Sequence, residues 1–238
     1  MGIGPEHLTG AYAGWMANEG RLQRGDGVLD MGAQELFCAA KPESVNEFVL
    51  RFGGEPYPDA ELMRIADRGL AGDAMVRAGF RYTSVDIKPY PFGLQLDLNR
   101  DPLPAEHHGR YQLVTNHGTS EHVLNQWNVF EAMHDAAAEG ALMYHSVPFC
   151  GEHEHGIIQY TPKFFWSLCE ANGYELVYPL CIAIADGARP LPPDFLKSLD
   201  VLPLERVDAL AVPSAWLVVV LRKTKMQPFA GLIDPAFR

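Results

Sequence analysis

The residues best suited to chemistry cluster in a few short stretches: Asp30-Met31-Gly32, Asp86-Ile87, Asp97-Leu98-Asn99, and Asn116-His117-Gly118 running into Glu121-His122. In three of them an aspartate closes or directly follows an apolar run. A carboxylate so placed accepts hydrogen bonds from hydroxyl or amino groups of a ligand and favours a cationic one. Each charge-assisted bond of that kind contributes roughly 1.5–3 kcal/mol. A further stretch, Cys150-Gly151-Glu152-His153-Glu154-His155-Gly156, carries a His-x-His pair beside carboxylates. Alternate residues of an extended segment share a face, so His153 and His155 have the spacing to bind zinc or iron. No spaced second pair completes a zinc pattern. The segment is therefore read as a polar, substrate-facing loop and no metal is expected.

These stretches need elements to hold them. Gly27 to Gly32 reads as a buried strand entering a turn, and Arg81–Ile87, Leu94–Leu98, Tyr111–Thr115, Ala141–Val147, Glu175–Ala185 and Ala215–Lys223 read as further strands. Helices alternate with them. Ser44-Val45-Asn46-Glu47 has the form of a capping box, followed by Val45, Phe48, Val49 and Phe52 on one helical face. Asp59 is placed to cap a second helix with Leu62, Ile65 and Ala66, and a third runs from Asp73 to Ala78 and stops at Gly79. Residues 124–138 form another helix, with Gly140 as its stop. Thr161-Pro162 opens the last helix, which ends at Asn172-Gly173. The stretch up to Arg24 reads as a short helix or arm. Such alternation indicates an α/β fold with a mostly parallel sheet, whose ligands bind at the carboxyl ends of the strands.

Composition sets outer limits. A chain of 238 residues with 47% hydrophobic and 21% charged residues is long enough for one large domain with a sizeable core. The net charge of −11 argues against a nucleic-acid partner. The longest apolar run, Ala215 to Leu221, is too short to cross a bilayer, so no membrane partner is expected. The first residues lack the basic and apolar regions of a signal peptide, and the four cysteines form no tight framework. A reduced, cytoplasmic setting is expected.

Taken together, Val28-Leu29-Asp30-Met31-Gly32, Ser84-Val85-Asp86-Ile87, Leu96-Asp97-Leu98-Asn99 and Tyr111-Gln112-Leu113-Val114 leading to Glu121-His122-Val123 resemble the class I (Rossmann-like) S-adenosylmethionine-dependent methyltransferase superfamily. Asn172-Gly173-Tyr174 and the run Trp216 to Lys223 match as well, so the resemblance spans about Gly27 to Thr224. It implies a three-layer sandwich around a mostly parallel seven-stranded sheet with the last strand antiparallel. It also implies S-adenosyl-L-methionine as cofactor and a small-molecule oxygen or nitrogen acceptor. By resemblance, Gly32 lets the backbone approach the cofactor while Asp30 steadies that turn. Asp86 with Ile87 would hold the ribose, Asp97 with Leu98 the adenine, and Asn116 and Gly118 the sulfonium end. His117 and His155 are the candidate general bases, since an imidazole near its free pKa takes up a proton at neutral pH. Glu121, His155 and Tyr160 are expected to contact the acceptor.

Three features depart from the family pattern. Only Gly32 remains of a loop that often holds three glycines. Fifty-four residues separate Gly32 from Asp86, against about 20 in dinucleotide-type units. Residues 41–70 are therefore read as a helical insertion forming a lid, and 25–40 with 71–238 as the core of a single domain. Between Ile87 and Leu94 there is no room for a crossover helix, which needs about a dozen residues. Two other functions stay open. One is a non-catalytic cofactor-binding or interaction protein of the same fold. The other is an NAD(P)-dependent oxidoreductase, against which the missing G-x-G-x-x-G argues. A metal-dependent enzyme built on His153 and His155 is a further, weaker alternative. The apolar tail with Pro228, Phe229, Leu232, Ile233 and Phe237 either docks on its own domain or builds a homodimer.

Overall fold

The computed structural model describes residues 2–151, 154–183, 187–190 and 215–232, with backbone placement alone for 178–183 and 187–190. Strand β1 (Gly2–Ile3) leads into an N-terminal helix, Glu6–Met16, whose Leu8, Tyr12 and Met16 fall four residues apart and are fully buried. Strand β2 (Gly27–Met31) is buried at every position, as expected of a strand covered on both faces. The chain then leaves the main sheet. Strand β3 (Glu35–Phe37) pairs with β1 on one side and with β4 (Asp67–Leu70) on the other, making a small satellite sheet. Helices α1 (Glu43–Arg51) and α2 (Asp59–Ala66) lie between β3 and β4.

Helix α3 (Ala71–Ala78) ends at Gly79, which takes the left-handed conformation (φ 97°) that a helix stop favours. It feeds β5 (Arg81–Asp86), which pairs in parallel with β6 (Gly93–Gln95) across a helix-free link, as the spacing requires. Next come β7 (Tyr111–His117), α4 (Gln126–Ala136), β8 (Ala137–Cys150) and α5 (Pro162–Asn172). The Thr161 hydroxyl accepts from the Phe164 N–H and Gly173 (φ 65°) closes α5, as the sequence indicates. Strands β9 (Glu175–Ala183), β10 (Gly187–Pro190) and β11 (Ala215–Arg222) complete the sheet.

The main sheet has the order β10-β9-β11-β8-β7-β2-β5-β6. Strands β2, β5, β6, β7 and β8 are mutually parallel, and β11 runs antiparallel between β8 and β9. The seven expected strands are thus present with the last one reversed, and β10 adds a short antiparallel eighth at one edge. Side chains alternate between two cores. Leu29, Met31, Val114 and Leu217 pack with α4 and α5 on one face. Val28, Leu113, Tyr144 and Val218 pack with the N-terminal helix, α1 and α3 on the other. The chain crosses from one wing of the sheet to the other between β2 and β7, which sets the switch point where such sheets bind ligands.

Several sequence expectations change. In the segment 41–70, expected as a helical lid, Val45, Phe48, Val49 and Ile65 are buried in the second core with residues of the N-terminal helix and α3. Ser44 does not cap α1. Pro42 is already helical there, and the Ser44 hydroxyl donates to the Lys41 carbonyl instead. Asp59 is the first residue of α2 and makes no cap bond. Gly140 (φ 82°) lies inside β8 because the chain passes from α4 into the strand at Ala137. The end of α4 is instead closed by the buried ammonium of Lys223, which donates to the carbonyls of His134 (2.6 Å) and Ala137 (3.0 Å).

The tail docks on its own domain as far as it is described. Phe229 stands edge-on to Trp127 (5.2 Å), and the Ala230 N–H donates to Asn172 Oδ1. Ile233, Phe237 and most of the Pro-rich insertion lie outside the described residues. No helix among the described residues is long and apolar enough to cross a membrane.

Phe48 is fully buried against Phe52 (5.3 Å), Phe80 (6.0 Å) and Tyr12 (6.4 Å). Phe48→Ala should therefore cost about 3–5 kcal/mol in urea unfolding. A loss below about 1 kcal/mol would mean that α1 is a loosely held lid after all.

Candidate active site

At the carboxyl end of the sheet the turns after β2, β5, β6 and β7 enclose a cleft of about 310 Å³. Its floor is the turn after β2. Gly32 takes φ 84°, a conformation costly for residues with a Cβ. A Cβ there would also collide with Thr119 Oγ1 and lie 2.9 Å from Gln34 Nε2. The Gly32 N–H donates to the Val85 carbonyl (2.7 Å), which ties the turn to β5. On the next wall Asp86 accepts from the Ala33 N–H (3.0 Å) through one oxygen and from the Lys88 N–H (2.9 Å) through the other. Asp97 lies in the turn beyond β6, which ends earlier than the sequence suggests. Its carboxylate accepts from the Asn99 N–H (3.0 Å), while its own N–H donates to Asp101 (2.8 Å).

Six of the expected cofactor residues line this cleft: Gly32, Asp86, Ile87, Asp97, Leu98 and Gly118. Asp30 and Asn116 do not, because their side chains are spent on the scaffold. Asp30 is fully buried and accepts from the Tyr82 hydroxyl (2.8 Å) and from Thr115. Burial raises its carboxyl from 3.8 to about 6, against the lowering effect of those two hydroxyls. Asn116 accepts from the Ser120 N–H (3.1 Å) and donates to Ser120 Oγ (2.7 Å), which shapes the turn after β7.

The acid–base candidates separate as well. His117 is 1% exposed and does not line the cleft. Period-two alternation turns it away from Asn116 into the opposite layer, where Nε2 is bonded to the Tyr12 hydroxyl and the ring meets His7 (4.7 Å) and Tyr144 (5.0 Å). Burial, with His7 and His145 nearby, holds its pKa well below the usual imidazole range, so it stays neutral. Tyr160, expected to contact the acceptor, is fully buried and donates to Ser120 Oγ (2.8 Å), so its role is to brace the same turn.

Glu121 is buried with its carboxyl raised from 4.5 to about 7 by desolvation. Its Oε1 lies 3.3 Å from Nε2 of His155, whose side chain is 24% exposed. His122, next in the chain, lines the cleft. His153 lies outside the described residues.

Sequence reasoning missed Thr119 and Gln34. The Thr119 hydroxyl donates to the Met31 carbonyl (2.6 Å) and accepts from Gln34 Nε2 (3.1 Å), closing the floor of the cleft. Their nearness to two strand ends was the only signal, and their contact spans 85 residues.

No protein-family model matches the chain, and no curated protein does. Among solved structures it is similar to the Burkholderia thailandensis 1,6-didemethyltoxoflavin-N1-methyltransferase with bound 1,6-didemethyltoxoflavin and S-adenosylhomocysteine. That match has 13% identity, covers 88% of this chain and 75% of that one, and has a TM-score of 0.44. It is also similar to a geranyl diphosphate methyltransferase in complex with S-adenosylmethionine, at 13% identity, 89% and 84% coverage and a TM-score of 0.47.

Two outcomes test the floor of the cleft. Gly32→Ala should lose about 1–2 kcal/mol from its backbone conformation alone, and ligand binding in the cleft should disappear with it. Unchanged binding by calorimetry would show that the turn tolerates a side chain. For Asp30, the folded carboxyl keeps its proton to about pH 6, while the unfolded one releases it near 3.8. The folded chain binds the extra proton in between, so this residue's contribution to stability falls as pH rises across that window. Urea unfolding from pH 4 to 6.5 should show a shallower decline in Asp30→Asn than in the wild type. Equal slopes would remove Asp30 as the source.

Proposed function

We propose that the chain is a class I S-adenosylmethionine-dependent methyltransferase acting on an oxygen or nitrogen of a small-molecule acceptor. The observation that carries this reading is the meeting of Gly32, Asp86 and Asp97, from three separate turns, in one cavity of about 310 Å³. That volume lies within the roughly 300–1,000 Å³ of small-molecule sites. The residues fit the cofactor. Gly32 leaves backbone open where a Cβ would fill the cradle. The Asp86 carboxylate, already oriented by two backbone N–H groups, would take the ribose hydroxyls. Asp97 and Leu98 would hold the adenine, and Gly118 with Thr119 would close the sulfonium side.

Bound there, S-adenosylmethionine supplies an electrophilic methyl group that passes to the acceptor atom as its bond to sulfur breaks, leaving S-adenosylhomocysteine. The chain's own contribution is alignment within a preformed cleft and removal of the acceptor's proton. Of the two histidines expected to take that proton, His117 is committed to Tyr12. Activation of the acceptor then falls to the rim where His155, Glu121 and His122 converge.

The test is thermal unfolding with S-adenosylmethionine, S-adenosylhomocysteine, NAD and NADP added separately. A ligand at a hundredfold excess over its Kd adds about 2.7 kcal/mol, a shift of roughly 5–10 °C for a domain of this size. The first two ligands should produce it and Asp86→Ala should abolish it. A shift with NAD or NADP alone, or with none of the four, would overturn the reading.

A further inference from the structure

Glu121 is completely buried, yet neither carboxylate oxygen has a hydrogen-bond partner among the described residues. A carboxylate taken out of water in this way is strongly disfavoured unless a proton or a cation completes it. Nε2 of His155 faces it from 3.3 Å but is too poorly aligned to make a hydrogen bond. His122 stands on the third side, its ring centroid 5.1 Å from that of His155. One ligating atom from each of the three residues lies within 4.8 Å of the other two.

The convergence is built into the fold. The N–H groups of Ile157 and Ile158 both donate to the Glu121 carbonyl (3.0 and 3.2 Å), stapling the loop after β8 to the turn after β7. Gly156 permits this approach, since a Cβ there would come within 2.7 Å of Glu121 Cγ. The His155 ring is set edge-on to Trp216 at 5.3 Å. We propose that Glu121, His122 and His155 bind a single divalent transition-metal ion at the rim of the cleft.

Two imidazoles and one carboxylate are donors suited to zinc or iron(II), whereas magnesium and calcium favour oxygen ligands throughout. Three protein ligands leave coordination positions open, and one of the three, His122, lines the cleft. A hydroxyl or amine bound at an open position releases its proton more readily. That use of the ion rests on the methyltransferase reading; the site itself does not. The loop after β8, read from the sequence as polar, substrate-facing and without a metal, contributes His155 to this proposed site, and the turn after β7 contributes Glu121 and His122.

The full chain, stripped with a chelator, is titrated with Co²⁺ and followed by visible absorption, with equilibrium dialysis against Zn²⁺ giving the stoichiometry. One ion per chain is expected, with affinity lowered at least about tenfold in both His122→Ala and Glu121→Gln. His122 is exposed, so its replacement leaves the fold intact, which circular dichroism verifies. Absence of stoichiometric binding, or undiminished binding in either variant, overturns the proposal. Thermal unfolding of the wild type with S-adenosylhomocysteine, run alongside, reports separately on the cofactor reading.

Discussion

Strand β2 lies between β5 and β7 with every residue buried, so the polar groups at its carboxyl end meet protein instead of water. Each has a partner. The Met31 carbonyl accepts from Thr119 and Gln34, the Gly32 N–H donates to Val85, and Asp30 is bonded by Thr115 and Tyr82. A buried polar group left alone costs about 1–3 kcal/mol. These bonds therefore hold the turn after β2 in one shape, and the floor of the cleft with it. The cleft owes its form to hydrogen bonds that the buried strand requires for its own sake.

The end of β7 divides its work between the two faces of the sheet. Asn116 turns toward α4 and shapes the following turn, while His117 turns into the layer of the N-terminal helix. Gly118 and Thr119 are left for the cleft. That same turn, braced by Tyr160, carries Glu121 inward, away from solvent. The buried Glu121 carboxylate, without a hydrogen-bond partner among the described residues, is thus placed by the elements that organise the site. Its neighbour His122 remains at the surface.

Much of this was legible in the chain. The buried strands, the Gly79 and Gly173 stops and the Thr161 cap follow from local chemistry, and the cleft residues follow from their place behind strand ends. What was not legible depended on orientation across long separations. The apolar face of Val45, Phe48, Val49 and Phe52 demanded burial, but no local signal said which layer would supply it. Pro42 extended α1 backward and so left Ser44 inside the helix. Whether Asp30, Asn116 and Tyr160 faced a ligand or the scaffold turned on partners 4 to 85 residues away. Likewise, Glu121 and His155 are joined only by the fold.

Strand β11 has a place in the sheet that bears on how the chain is made. It inserts between β8 and β9, pairing with both, although it follows both in sequence. During synthesis, β2, β5, β6, β7 and β8 can assemble as they emerge, since each pairs with at least one other of the five. Strand β9 pairs with the short edge strand β10, but gains its link to the rest of the main sheet only when residues 215–222 have left the ribosome. Up to that moment β8 presents an open, apolar edge of the kind that recruits foreign strands. The nascent chain is then most exposed to aggregation in the interval between α5 and β11. A chaperone would be needed there if anywhere, and a stalled or truncated product ending before β11 would share the same exposed edge.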